Sequence, residues 1–317
     1  MGYHYSVLLN ETMDVMDIRP NGMYVDLTLG RGGTSEAILK RIPNGHLYSF
    51  DMDQEAIDES KERLEKTGNN FTIIKSNFAY FVKELQERGI TEVDGITADL
   101  GVSSPQFDEA ERGFSYREDA PLDMRMDREN PLNAKIIVNT YPFERLLKVF
   151  KDYGEDPFSY QIAKEIVKER ETKEIETTGE LVELIKRVKP ARELAKKGHP
   201  AKQIFQALRV ETNDELGNLR QLLDTFDEVL KPGGRIAIIT FQSLEDRLVK
   251  DKFRSLSVIE GNRDDLELRP NEIKKAPYRQ ISKKPIVAGE KELEENHRSK
   301  PAKLRCIEKK GEDDNER

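Results

Sequence analysis

The residues of this chain that could do chemistry begin with a glycine cluster flanked by carboxylates. The stretch Tyr24–Thr34 reads YVDLTLGRGGT: Asp26 lies near the end of a short apolar run, and Gly30, Gly32 and Gly33 precede a helical pattern at Ser35–Arg41. Glycine permits positive φ and lets a ligand lie against the main chain, and the free N–H groups of a helix start favour polar or anionic atoms. A second apolar run, His46–Phe50, delivers Asp51 and Asp53 one βαβ unit later. A carboxylate at that point can accept hydrogen bonds from ribose hydroxyls. A third run, Phe71–Lys75, is followed by Phe78, and a fourth, Val93–Leu100, carries Asp99 near its end. The glycine loop alone is a weak signal, because an ordinary tight turn has the same composition. Ser35 stands where a dinucleotide loop has glycine or alanine, and no Gly-Lys-Ser/Thr follows, so neither common phosphate motif fits. With Asp51, Phe78 and Asp99 added, a nucleoside-cofactor site is the better reading.

Asp99 opens a second candidate, the small-residue loop DLGVSSPQ that ends at Gln106. It resembles the Asp/Ser/Asn-Pro-Pro-aromatic loop of methyltransferases that act on exocyclic amines of bases, with Gln106 replacing the second proline. An aniline-like amine has its lone pair conjugated into the ring, and oxygens that accept its hydrogens orient it and favour pyramidalisation. Ser103, Ser104 and Pro105 are the candidate catalytic positions; a plain strand-to-loop connection is the competing reading. Three further blocks carry charge. PLDMRMD, from Pro121, reads equally well as a half-buried turn with a local ion pair. FQSLEDR, from Phe241, either turns Ser243, Glu245 and Asp246 toward a ligand crevice or uses Ser243 as a helix cap, the latter being slightly favoured. HPAKQIFQALR, from His199, puts Lys202 and Arg209 about two helical turns apart on one face, suited to phosphate contact or to solvation.

These residues need elements to hold them. Val7–Met16 reads as a leading helix, and strands at 23–27, 46–50, 71–75 and 93–100 alternate with helices at 35–41, 54–66 and 79–88. Such alternation predicts a parallel sheet with ligands beyond the carboxyl ends of its strands, where Asp26, Asp51, Phe78 and Asp99 all fall. From Gln106 to about Gln203 no strand is evident, while Phe143–Phe150, Tyr160–Glu169 and Gly179–Val188 are apolar at helical spacing, which predicts an inserted helical domain. The sheet resumes after a helix that Thr212 and Glu215 would open as a capping box. Lys231–Gly234 reads as a turn, Arg235–Phe241 as a buried strand, Leu244–Phe253 as a helix, Gly261–Glu295 as a polar excursion and Lys303–Ile307 as a final strand. The expected limits are 1–106 and 207–308 for the α/β domain, 107–206 for the helical insertion and 309–317 for a polar tail.

The 317 residues are 36% hydrophobic and 35% charged, enough for a real core under many solvated helix faces. No apolar run is long enough to span a bilayer, and Met1–Glu11 has no signal-like character, so a soluble, unexported protein is expected. The lone Cys306 has no disulfide partner and no metal-ligand companions, which fits a reducing cytoplasm and no bound metal. A net charge of −8 argues against bulk-charge binding of nucleic acid. Basic residues nevertheless cluster at Lys186, Arg187, Lys189, Arg192, Lys196, Lys197, Lys202 and Arg209, and again at Lys274, Lys275, Arg279, Lys283 and Lys284.

Taken together the blocks resemble the bacterial MraW family of S-adenosylmethionine-dependent 16S ribosomal RNA cytosine-N4 methyltransferases. The matching pieces are HYSVLLNE from His4, VDLTLGRGG from Val25, DGITADLGVSSPQ from Asp94, ERGFSYREDAPLDMRMD from Glu111, HPAKQIFQALR, FQSLEDR and NHRSKPAKLR from Asn296. The resemblance implies a Rossmann-like class I methyltransferase fold, mostly parallel, with an all-helical domain inserted after the fourth strand. It implies S-adenosylmethionine contacts at Gly32, Gly33, Thr34, Asp51, Phe78, Asp99 and Gln106, and a target cytosine in the decoding centre of the small ribosomal subunit. Thr34 and Gln242 stand where the family commonly has histidine, so neither position supplies a titrating base. A nucleotide-dependent oxidoreductase and an RNA-binding assembly factor with a vestigial pocket are the alternatives.

Overall fold

A computed structural model describes residues 6–258 and 276–311. A seven-stranded sheet organises the α/β unit: β1 (Met23–Asp26), β2 (His46–Asp51), β3 (Phe71–Lys75), β4 (Val93–Asp99), β5 (Leu230–Thr240), β6 (Tyr278–Gln280) and β7 (Lys303–Lys309), in the order β3-β2-β1-β4-β5-β7-β6. Pairings from β3 through β5 are parallel, and β7 runs antiparallel to both β5 and β6. Strand order therefore reverses between β1 and β4, the switch point at which such sheets open a crevice at their carboxyl ends.

Alternation along the strands sends side chains to two cores. Ile236 and Ile238 join Val25, Phe50, Ile96 and Phe226 on one face, while Ala237 and Ile239 join Tyr24, Leu47, Leu304 and Cys306 on the other. Gly95 is dictated by this packing, since a Cβ there would come within 2.6 Å of Met16 Cε and 2.8 Å of the Tyr24 ring. The first helices are α1 (Leu9–Met16), α2 (Gly33–Leu39), α3 (Gln54–Glu65) and α4 (Phe81–Glu87), the last preceded by a 3-10 turn at Phe78–Tyr80. Asp53 caps α3 by accepting from the Glu55 N–H.

The second compact unit spans Val102–Leu216; the first comprises Met1–Gly101 and Gly217–Arg317. The helical unit contains α5 (Ser104–Asp108), α6 (Ala134–Thr140), α7 (Phe143–Asp152), α8 (Ser159–Arg170), α9 (Thr178–Val188), α10 (Ala191–Leu194) and α11 (Lys202–Asn213). Among its described residues there is no strand, only an isolated bridge between Pro121 and Thr177. Ile137, Leu146, Phe150, Ile166, Leu181 and Leu208 belong to its own core. The expected limit at 206 falls inside α11, one continuous helix, so the unit runs on to Leu216.

Three local expectations are corrected. Thr212 is buried in the last turn of α11 and caps nothing; the chain breaks at Asp214, in left-handed conformation with φ 47°, before α12 (Glu215–Thr225). Residues 231–234 belong to β5, whose register against β4 shifts between Val93 and Gly95, so the predicted turn is a bulge in a strand. The polar excursion holds strand β6, whose Tyr278 is buried and donates from its hydroxyl to Asp227, and helix α14 (Glu290–Glu295). Ahead of both, α13 (Ser243–Ser257) follows β5. His4, Lys274, Lys275 and the tail beyond 311 lie outside the described residues.

Candidate functional site

The carboxyl ends of β1, β2 and β4 bring three aspartates together through one short loop. Asp26 is fully buried: its Oδ2 accepts from Ser35 Oγ at 2.6 Å and its Oδ1 from the Thr28 N–H at 3.2 Å. Thr28 in turn accepts, at its Oγ1, from the Asp99 N–H at 2.6 Å, tying the β1 loop to the end of β4. Asp51 accepts from the Gly30 N–H at 2.8 Å and the Asp53 N–H at 2.9 Å, one bond on each oxygen. A carboxylate has about four acceptor sites, so both oxygens keep room for hydroxyl donors.

Asp99 differs from the other two. Its residue is only half-buried, but its Oδ1 is sealed from solvent and has no hydrogen-bond partner within the protein. Of the four buried side-chain atoms orphaned in this way among the described residues, the other at the end of a neighbouring strand is Oε1 of Gln242, just after β5. Burial, together with repulsion from Asp26, Glu245 and Glu292, pushes the Asp99 carboxyl up to about 8. Burial likewise raises Asp26, to about 6 against the pull of the Ser35 and Thr28 bonds, and raises Asp51. Asp51, with acceptor sites to spare, and Asp99, with an undonated Oδ1, can offer acceptors to a ligand with hydroxyl and N–H groups.

The glycines of the loop serve the protein's own packing first. Gly30 and Gly32 have φ of 48° and 74°, a region that costs other residues strain. A Cβ on Gly32 would sit 3.2 Å from Ser60 Cβ, and one on Gly33 would meet Ser6 Oγ at 2.1 Å. Ser60 also donates from its hydroxyl to the Gly30 carbonyl at 2.6 Å. The loop is thus clamped between the N-terminal segment and α3, which fixes the direction of its free N–H groups. Phe78 is half-buried and packs against the core at the end of β3. Thr34 is half-buried in the first turn of α2.

Residues 1–310 match the MraW methylase family. The chain belongs to that family. Proteins called "Ribosomal RNA small subunit methyltransferase H" from Streptococcus dysgalactiae subsp. equisimilis and Streptococcus pyogenes serotype M4 are each 52% identical to it over 310 residues, 97% of this chain and 98% of theirs. The chain is similar in structure to an rRNA methylase from Streptococcus thermophilus, with a TM-score of 0.40 at 11% identity over 97% of this chain and 99% of that one. The strand order, not this likeness, defines the fold.

In this MraW-family chain the remaining candidates are placed unequally. Gln106 is buried in α5 and its side-chain carbonyl accepts from the Ser103 N–H at 3.0 Å, closing the loop that Ser103, Ser104 and Pro105 form; all four lie in the helical unit. PLDMRMD holds the expected local ion pair: Arg125 forks onto Asp123 at 2.8 Å through both Nε and Nη2, and Asn213 holds the backbone of Met124 and Met126. In FQSLEDR the residue preceding α13 is Gln242, not Ser243, and Glu245 accepts from the Phe241 and Gln242 N–H groups at 2.9 and 3.1 Å. Asp246 turns away from the strand ends to Arg305, at 2.7 and 3.2 Å.

The first basic cluster is largely neutralised. Arg209 forks onto Glu215 at 2.7 and 3.0 Å with both side chains nearly buried, so its guanidinium is taken up inside the unit rather than offered to phosphate. Lys189 is buried against Asp156 and donates to the Pro200 carbonyl at 2.7 Å. Lys186, Arg187 and Lys196 pair with Glu183, Glu169 and Glu193. Lys202 is exposed at the start of α11. Sequence reading missed Ser6, Ser35, Ser60 and Thr28, because small hydroxyl residues carry no pattern until their partners are known.

Proposed function

We propose that this chain transfers a methyl group from S-adenosylmethionine to the exocyclic N4 amine of a cytosine in the decoding centre of 16S ribosomal RNA, acting in the cytoplasm on that RNA or on the small ribosomal subunit. The observation that carries the cofactor half is the orphaned Oδ1 of Asp99, a sealed acceptor at the switch point of the sheet that a ligand N–H group would satisfy. The substrate half rests on the relatives named small subunit methyltransferase H and on the DLGVSSPQ and PLDMRMD blocks. S-adenosylmethionine supplies a methyl group on a sulfonium centre that becomes a neutral thioether when the methyl leaves. Asp51 binds the ribose hydroxyls with its remaining acceptor sites, and Phe78 packs on the adenine. Gly32, Gly33 and Thr34 border the methionine portion, with Asp99 and Gln106 completing the set. Ser103, Ser104 and Pro105 orient the cytosine amine, and Lys202 contacts a phosphate. Catalysis is by proximity and orientation. The alkylated amine is acidic enough to release its proton to water, which fits Thr34 and Gln242 in place of histidines.

The test is transfer of label from methyl-labelled S-adenosylmethionine to small-subunit RNA and to small-subunit particles, followed by nucleoside mass spectrometry. Label on a cytosine N4 is expected. Asp51→Ala weakens cofactor binding by roughly 10- to 100-fold, the loss of charge-assisted hydrogen bonds to two hydroxyls, while the protein stays folded. Absence of label from every RNA form with a folded, cofactor-binding protein refutes the reading.

A further inference from the structure

We propose that a second, basic pocket in the α/β unit, walled by α13 and by the turn after β6 and floored by β7, docks the phosphodiester backbone of the RNA substrate; this rests on the function proposed above. The pocket has a volume of about 340 Å³, and among the described residues its lining includes Lys250, Arg254, Lys283, Lys284 and Arg305 but no carboxylate. Five cations facing one space, in a chain of net charge −8, is a local reversal of the field that RNA otherwise meets.

The pairing of these cations decides which of them are available. Arg305 is nearly buried and satisfied by Asp246, which Lys303 also approaches at 3.1 Å. Among the described residues Lys250 pairs with Asp251, at 3.9 Å on an exposed surface, a contact that contributes little. Lys250, Arg254, Lys283 and Lys284 are all exposed. Lys250 and Arg254 are four residues apart on α13, a like-charge spacing that is unfavourable until an anion lies between them. Lys283 and Lys284 stand on the opposite wall, on a turn held by the Ser282 hydroxyl donating to the Lys284 carbonyl and by the bridge between Ile286 and Leu304. Buried Phe253 and Ile307 anchor the walls to the core.

The distribution fits a chain of phosphates better than one small anion. Four cations on two walls, each exposed, offer successive contacts to a repeating polyanion, whereas a site for a single phosphate concentrates buried donors on one point. Lysine as a compact point charge positions a backbone without reading bases. The turn also explains why the second basic run of the sequence is placed where it is: Arg279 pairs with Glu308 at 2.6 Å, leaving Lys283 and Lys284 for the pocket.

The experiment measures the affinity of the full chain for small-subunit RNA across a salt series, for the wild type and for the Lys250→Ala/Lys283→Ala/Lys284→Ala variant. Losing three phosphate contacts lowers the slope of log affinity against log salt by about 2 and weakens binding by about tenfold or more at physiological salt. S-adenosylmethionine affinity and kcat at saturating RNA stay as in the wild type, and the corresponding triple lysine-to-arginine variant keeps the wild-type slope. Equal slope and affinity in the alanine variant overturns the proposal. So does saturable binding of inorganic phosphate that the variant abolishes while RNA affinity is unchanged, which reassigns the pocket to a small anion. Methyl transfer by the wild type is scored in the same samples, so a failed pocket and a failed function give different results.

Discussion

Asp99→Asn turns the orphaned acceptor into a calorimetric signal. A carboxyl titrating at about 8 holds a proton in about nine of ten ligand-free molecules at pH 7. A ligand N–H group donating to Oδ1 favours the anion and offsets the burial and the repulsion from Asp26, Glu245 and Glu292 that raised the carboxyl. Binding of S-adenosylmethionine at pH 7 then releases about 0.9 proton from this residue. Titration calorimetry in two buffers of different ionisation enthalpy reads that number, and the difference between wild type and Asp99→Asn isolates it from any proton the ligand itself exchanges. Two pH dependences follow, with opposite signs. Cofactor affinity rises toward pH 8, by up to about tenfold per unit, because the proton must leave. Folding stability without ligand falls over the same window: the native chain keeps a proton that the unfolded chain gives up above the ordinary value of 3.8, at up to about 1.4 kcal/mol per pH unit until about 8. Asp99→Asn flattens both. Equal proton release in the two proteins, or none in the wild type, refutes the assignment of Asp99 to the ligand.

Gly32→Ala places a side chain at φ 74° with its Cβ 3.2 Å from Ser60 Cβ, and should cost about 1–2 kcal/mol in urea denaturation, with cofactor affinity falling as the loop shifts. Arg209→Ala leaves Glu215 buried and unpaired and should destabilise the helical unit by about 3–5 kcal/mol, part of which Arg209→Ala/Glu215→Ala restores. Lys202→Ala should leave the denaturation midpoint unchanged and lower only RNA affinity; the reverse pattern for the two residues would return Arg209 to the RNA surface.

The sheet was legible because each of its first four strands is an apolar run ended by a polar signal, and the period of the helical faces marked the insertion. β6 was not legible: three residues inside a polar stretch carry no alternation, and they pair only because β7 offers an edge. Helix limits failed where tertiary contacts override caps, as at Thr212, whose capping pattern loses to continued burial of α11 against its unit. Charge was read least well. A sequence counts Lys189 and Arg209 as surface cations, but Asp156, 33 residues away, and Glu215 claim them, and only coordinates name those partners.

The three aspartates show what the sequence holds and what it omits. Asp26, Asp51 and Asp99 are equivalent as letters, each near the end of an apolar run. Their hydrogen bonds rank them. Asp26 spends both oxygens on Ser35 and Thr28 and so acts on the loop rather than on a ligand. Asp51 spends one acceptor site per oxygen, holding Gly30 and Asp53 in place while keeping sites for hydroxyls. Asp99 gives its backbone N–H to Thr28 and leaves Oδ1 without a donor. The order of increasing availability, from β1 through β2 to β4, crosses the switch point of the sheet. The network therefore uses one carboxylate to fix the loop, leaves a second with acceptor sites to spare, and leaves the third with an oxygen that no donor among the described residues reaches, the arrangement on which the proposed cofactor site rests.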